Sequence, residues 1–200
     1  MFITLEGGEG AGKSTQARLL ACALAASGCA TLLTREPGGA PGAEALRRLL
    51  LSGPHDWSLD AETLLHFAAR AEHVARTIGP ALDAGMIVVC DRFADSTLAY
   101  QGYGQGANRD RIMALTASLD LSPDMTVVLD VPEAVAARRL AERGDPPDRY
   151  DRLGPAFHAR VAAGFQAIAA REARCVAISA EGALESVHAA ILQAVRARMA

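Results

Sequence analysis

The sequence predicts an α/β fold in which a five-stranded parallel sheet is flanked by helices. Three observations lead there. Five short apolar runs recur along the chain, and each is followed by a stretch of helical character. The runs are continuously apolar instead of alternating, the pattern of strands covered on both faces. A glycine-rich segment, Gly7 to Thr15 (GGEGAGKST), joins the first apolar run to the first helical stretch. Regular alternation of strand and helix argues for a parallel sheet with helices on both sides.

Taken in order, the expected strands are Phe2–Glu6, Thr31–Thr34, Met86–Cys90, Thr126–Asp130 and Cys175–Ile178. The expected helices begin with Lys13–Ser27 and Pro41–Leu51. A longer one covers about Asp60–Ala84 and breaks or kinks at Gly79-Pro80. Asn108–Leu119, Pro132–Glu142, Pro155–Glu172 and Leu184–Met199 complete the set. Pro41, Pro132 and Pro155 suit a first helical turn, where a missing N–H costs nothing. The 200 residues fit a single domain, 1–200, with one mobile lid segment expected at Arg143–Gly154 (RGDPPDRYDRLG), which is polar and rich in Pro and Gly.

Half of the residues are hydrophobic, which fits a packed chain, and the formal net charge of -3 offers no global attraction to nucleic acid. An anion site must therefore be local, and no nucleic-acid partner is expected. No apolar run approaches the ~20 residues of a membrane span. Met1 leads straight into a strand with no basic leader, so a cytoplasmic location is expected, with no membrane partner. The four cysteines lack a CxxC spacing and read as small buried thiols, with no disulfide or structural zinc expected. Of the 20 basic residues, 19 are arginine and one, Lys13, is lysine. Coding bias accounts for the arginines. Lys13 survives it because a planar guanidinium does not replace a compact ammonium at a tight phosphate site.

Gly7-x-x-x-x-Gly12-Lys13-Ser14 matches the phosphate loop GxxxxGK[ST], in its required context of strand before and helix after. Glycines let backbone N–H groups turn inward around phosphate oxygens, and the helix adds its positive end. The loop Gly7, Gly8, Glu9, Gly10, Ala11, Gly12, Lys13, Ser14 and Thr15 is thus expected to hold ATP. Lys13 would reach the β- and γ-phosphates and Ser14 would bind Mg²⁺. Many activities share this loop, so it names the donor and leaves the acceptor open.

Loops after strand C-termini converge on one crevice in an open parallel sheet. Here they bring Arg35, Arg47, Arg92, Arg143 and Arg149 together with Glu9, Glu36 and Asp91. Clustered arginines suit a second phosphate group, because their forks match its oxygens. A GTPase would carry an NKxD segment, which is absent, and a larger ATPase module would need more chain. A kinase acting on a phosphorylated small acceptor fits better.

The phosphate loop, REPGG (Arg35–Gly39), DRF…S…YQG (Asp91–Gly102) and RG…DR (Arg143–Arg149) stand in the order found in bacterial thymidylate kinases, which the chain resembles over nearly its whole length. The resemblance implies a P-loop nucleoside monophosphate kinase fold with a short lid, transfer of the γ-phosphoryl of ATP to dTMP, Mg²⁺ dependence and a homodimer. It places Glu9 near the sugar 3′-hydroxyl, Arg35 and Glu36 beside the acceptor, and Arg47 and Arg92 on its phosphate. Ser96, Tyr100 and Gln101 fall where the family contacts thymine and sugar, and Arg70 is the donor that reads the base. Asp91 is placed for Mg²⁺ and its water, or to orient the attacking phosphate oxygen. Arg139 matches a family arginine at the ATP end.

Two departures stand out. The family commonly stacks a Phe, four residues before the base-reading Arg, on thymine; here that position is His66, with Phe67 beside it. One residue is about 100° of helix rotation, so the two cannot face the base equally. Eukaryotic relatives carry an Arg inside the phosphate loop where this chain has Gly10. The charge for the transferring phosphoryl is then expected from Arg143 and Arg149.

Overall fold

In this computed structural model five strands form one parallel sheet. The structure describes residues 1–52, 55–143, 149–150 and 152–199. The expected lid falls partly outside them: residues 144–148 and 151 and the side chain of Arg143 are not among those described.

The strands are β1 (Phe2–Gly7), β2 (Thr31–Arg35), β3 (Ile87–Asp91), β4 (Met125–Asp130) and β5 (Cys175–Ser179). Their order across the sheet is β2-β3-β1-β4-β5, so β1, with its glycine-rich exit, lies at the centre. Thr4 pairs with Cys90 on one side and Thr126 on the other. The expectation of strands covered on both faces holds for β1, β3 and β4, which are buried almost throughout. It does not hold for β2 and β5. These are edge strands with one neighbour each, and Leu33 and Val176 stand exposed.

Alternate β1 side chains enter different layers. Ile3 and Leu5 pack with Leu20, Val127 and Leu129 beneath α1 (Lys13–Ala26) and α9 (Leu184–Met199), where Ile191 and Val195 complete the layer. Phe2 packs on the opposite face with Ile78, Val88, Cys90 and Phe93. Glu6 follows Phe2 and Thr4 onto that second face, so a carboxylate is buried in the middle of the fold.

The long helix expected over about Asp60–Ala84 is three pieces. The first is α3 (Leu59–His73); the backbone then widens into a π-turn at Val74–Ile78 before α4 (Gly79–Asp83). Pro80 has no N–H to return to the preceding turn, and the Gly79 N–H reaches back to the Val74 carbonyl instead. The other helices are α2 (Pro41–Ser52), α6 (Arg109–Ala117), α7 (Glu133–Arg143) and α8 (Pro155–Arg171). One helix lies outside the expected set: α5 (Ala94–Thr97), which widens into a second π-turn at Leu98–Gly104. Its packing on α8 explains the glycines there. A Cβ on Gly104 would lie 2.5 Å from Phe157, and one on Gly164 2.8 Å from Tyr103. No helix among the described residues is long and apolar enough to cross a membrane.

Candidate active site

The phosphate loop is shaped by what surrounds it. Gly7 leaves β1 at φ 141°, where a Cβ would lie 2.4 Å from the Leu129 carbonyl oxygen. Gly10 has φ 71°, and its Cβ would lie 2.6 Å from the Ala136 carbonyl oxygen of α7. Both positions exclude a side chain by conformation and by space. Lys13 opens α1 and donates from Nζ to the Gly8 carbonyl at 2.6 Å. Burial and the neighbouring Arg92 guanidinium push its pKa down to about 8. The Ser14 hydroxyl donates to Asp91 Oδ2 at 2.5 Å. The other oxygen, Oδ1, is buried and has no hydrogen-bond partner among the described residues.

Arg92 follows β3 in a left-handed conformation, φ 71°, that turns its side chain back across the sheet end. Its Nη1 donates to the Gly7 carbonyl at 3.2 Å and to Ser96 Oγ at 3.1 Å. Its Nη2 donates to Glu9 Oε1 at 2.6 Å and to the Tyr100 hydroxyl oxygen at 3.0 Å. Tyr100 in turn donates to Glu9 at 2.7 Å. The turn is held from below by Glu6, which accepts from the Phe93 N–H at 2.7 Å and from Ser96 Oγ at 2.6 Å. Burial and the nearby Asp95 carboxylate raise the pKa of Glu6, and its donors and Arg92 offset only part of that.

Beside this node runs a buried chain of polar groups. Thr34 Oγ1 lies 2.7 Å from His73 Nε2, and His73 Nδ1 lies 3.1 Å from Glu36 Oε1. Glu36 Oε2 accepts from Arg70 Nε at 2.7 Å. Arg70 Nη2 donates to the Phe93 carbonyl at 3.0 Å and to Thr97 Oγ1 at 3.1 Å. Its Nη1 is buried with no hydrogen-bond partner among the described residues, which leaves a positioned donor. Nearer the surface, Arg47 Nη1 donates to the Pro37 carbonyl at 2.7 Å, and Arg35 pairs with Glu44 at 3.1 Å.

These groups line one cavity of about 620 Å³, a size suited to small-molecule ligands. Its wall takes in Gly10, Gly12, Lys13, Ser14, Thr15 and Arg139 at one end. At the other end it takes in Arg35, Glu36, Arg47, His66, Arg70 and Gln101. Glu9, Asp91, Arg92, Ser96 and Tyr100 join the two. Six cationic side chains face three carboxylates in this wall, in a chain whose net charge is -3. Positive charge is thus concentrated in this wall, as a local anion site would need.

Some expected residues stand elsewhere. Gly7, Gly8 and Ala11 shape the loop from behind and do not line the cavity. Phe67 is buried and lies under the Arg70 guanidinium, 4.9 Å from ring centre to Cζ, while His66 reaches the cavity. Arg149 pairs with the buried Glu62 at 2.8 Å and lies outside the wall. Arg139 reaches the Gly10 carbonyl at 3.5 Å.

Sequence reasoning passed over Glu6, Glu62, His73, Thr97 and Tyr150. Two of these left a trace. Glu6 is an acid inside an apolar strand, and Glu62 stands four residues before His66, on the same helical face.

A phosphate loop at the centre of a five-stranded parallel sheet, opening on a second arginine-lined chamber, defines a P-loop nucleoside monophosphate kinase. The family model for thymidylate kinase matches residues 5–191. The thymidylate kinase of Gluconobacter oxydans is 55% identical, across 98% of this chain and 94% of that one. That of Caulobacter vibrioides is 50% identical, across 99% of this chain and 97% of its own. The crystal structure of thymidylate kinase from Ehrlichia chaffeensis matches with a TM-score of 0.80 at 36% identity, covering 98% of each chain. The chain belongs to the thymidylate kinase family and is a phosphotransferase.

Proposed function

We propose that the chain transfers the γ-phosphoryl group of ATP to dTMP, yielding ADP and dTDP on the way to dTTP, in the cytoplasm and as a homodimer. One observation carries this reading: a single cavity runs from the phosphate loop to a second arginine-lined chamber. The triphosphate lies in the loop with Lys13 at its β- and γ-phosphates. The monophosphate of the acceptor lies against Arg92, with Arg47 and Arg35 at the chamber mouth. Its phosphate oxygen attacks the γ-phosphorus as the bond to the β-phosphate oxygen breaks and ADP leaves. That oxygen is already anionic, so positioning and charge neutralisation do the work and no strong base is needed.

Glu9 and Tyr100, bonded to each other and to Arg92, offer polar atoms to the sugar. Arg70 Nη1, which has no hydrogen-bond partner among the described residues, offers a donor to a base carbonyl, and His66 supplies the adjoining wall. Arg143 and Arg149 remain the cations proposed for the transferring phosphoryl. Arg149 would act there only after leaving Glu62.

Among the described residues no group of three or more His, Cys, Asp or Glu side chains forms a metal cage. That fits Mg²⁺, which binds through one or two protein oxygens and completes its shell with phosphate and water. Ser14 Oγ and Asp91 Oδ1, the latter without a hydrogen-bond partner among the described residues, would hold it. The ion would neutralise and orient the triphosphate.

A panel of monophosphates in an ADP-coupled assay tests the reading. Steady turnover of dTMP is expected. No ADP from dTMP, alongside turnover of UMP or AMP, would refute it.

A further inference from the structure

The acceptor end of the cavity is backed by a hydrogen-bonded cluster centred on Glu62 and Tyr150, two residues to which the proposed reaction gives no task. Glu62 on α3 is fully buried. Its Oε1 accepts from Gln101 Nε2 at 2.8 Å, Gln105 Nε2 at 2.9 Å and the Tyr150 hydroxyl at 2.8 Å. Its Oε2 lies 2.8 Å from Arg149 Nη2. The three hydrogen-bond partners are donors and Arg149 adds an ion pair, which suits a carboxylate that only accepts.

The consequence passes outward through Tyr150. A phenol carries one hydrogen, and here it goes to Glu62. The Tyr150 oxygen therefore acts as acceptor toward Gln101 Nε2 at 3.1 Å and His66 Nε2 at 2.9 Å. An acceptor facing Nε2 selects the imidazole tautomer with its hydrogen on that nitrogen and leaves Nδ1 bare. The charged form is disfavoured as well. Burial, then Arg70, Arg149 and Arg92, push the His66 pKa down to about 3. A neutral ring can share the wall with Arg70, where an imidazolium would meet the guanidinium as a like charge.

We propose that Glu62 and Tyr150 are positioning residues that lock His66 as its Nε2–H tautomer, so that the acceptor base meets one fixed, neutral imidazole. The inference rests on the reading of this chamber as the dTMP site. It makes the geometry of the base wall depend on Glu62, buried behind it, and on Tyr150, which lines the cavity beside His66. Tyr150→Phe removes the hydroxyl while keeping the ring, whose edge contact with Tyr100 spans 5.6 Å between centroids.

Nitrogen-15 NMR of histidine-labelled, nucleotide-free protein reads the tautomer directly, with the His66 signals assigned by their loss in His66→Phe. A single Nε2–H tautomer is expected in the wild type and a mixture in Tyr150→Phe. An Nδ1–H form or a mixture in the wild type overturns the lock. In kinetics, Tyr150→Phe should raise KM for dTMP about three- to tenfold, the worth of one hydrogen bond, with a smaller change in kcat. The same change made in a His66→Phe background should have little effect on KM. An undiminished effect there would mean that Tyr150 acts on the fold or on the acceptor directly, and not through His66, and would overturn the proposal. If dTMP is not turned over at all, the functional reading fails, while the substrate-free NMR result still decides the lock.

Discussion

Lys13 is buried on the first turn of α1, and burial works against its charge. Its pKa of about 8 lies below the ~10.4 of an exposed lysine. Between those values the unfolded chain binds the extra proton, so this residue makes stability rise with pH through that window. Below about pH 8 the burial penalty is present in full. Lys13→Met should therefore stabilise the nucleotide-free protein at neutral pH by ~1–3 kcal/mol and flatten its stability between pH 8 and 10. Urea unfolding at several pH values checks this. The same variant should lower kcat/KM at least ~100-fold, because the triphosphate loses its ammonium. Lys13 was legible in the sequence through its motif and because every other basic residue is arginine. The Glu36–Arg70 and Glu62–Tyr150 pairs were not. Each joins residues far apart in the chain, and nothing in local spacing announces such a bond.

Among elements, the phosphate loop and α7 are the instructive pair. By the family resemblance, Gly10 stands where eukaryotic relatives carry an arginine. The structure supplies a physical reason: α7 lies against the loop, with the Ala136 carbonyl oxygen 2.6 Å from where a Cβ would be, and φ is left-handed. Gly10→Arg should thus fail to add a catalytic cation. It should instead displace α7 and cost ~1–3 kcal/mol of stability, read as a lower midpoint in urea, with reduced kcat. A gain in kcat at unchanged stability would show that α7 yields easily. The strands were readable because continuous apolar runs have few other uses in a chain of this composition. The π-turns at Val74–Ile78 and Leu98–Gly104 were not, since they answer to Pro80 and to the fit of α5 against α8.

At the scale of the whole molecule, the proposed homodimer needs apolar surface to bury. Leu49 on α2 and Leu64 on α3 are more than 40% exposed, and both helices pack together on one flank. Sedimentation velocity should find a dimer at micromolar concentration. Leu49→Glu combined with Leu64→Glu should shift it to monomer, and a wild-type monomer would refute the assembly.

The sheet, the glycine-rich loop, and the gathering of Lys13, Arg35, Arg47 and Arg92 about one crevice were all legible in the sequence. Each of these is written in spacing or in a run of one chemical type, and spacing survives without coordinates. Folding settled the remainder: that His66 and not Phe67 reaches the cavity, that Arg149 rests on Glu62, and that Arg70 keeps one donor unspent among the described residues. Those outcomes depend on helix rotation and on which buried polar groups find each other across the chain. A one-residue turn of α3 would reverse the first of them, and only the packing of α3 against its neighbours sets that rotation.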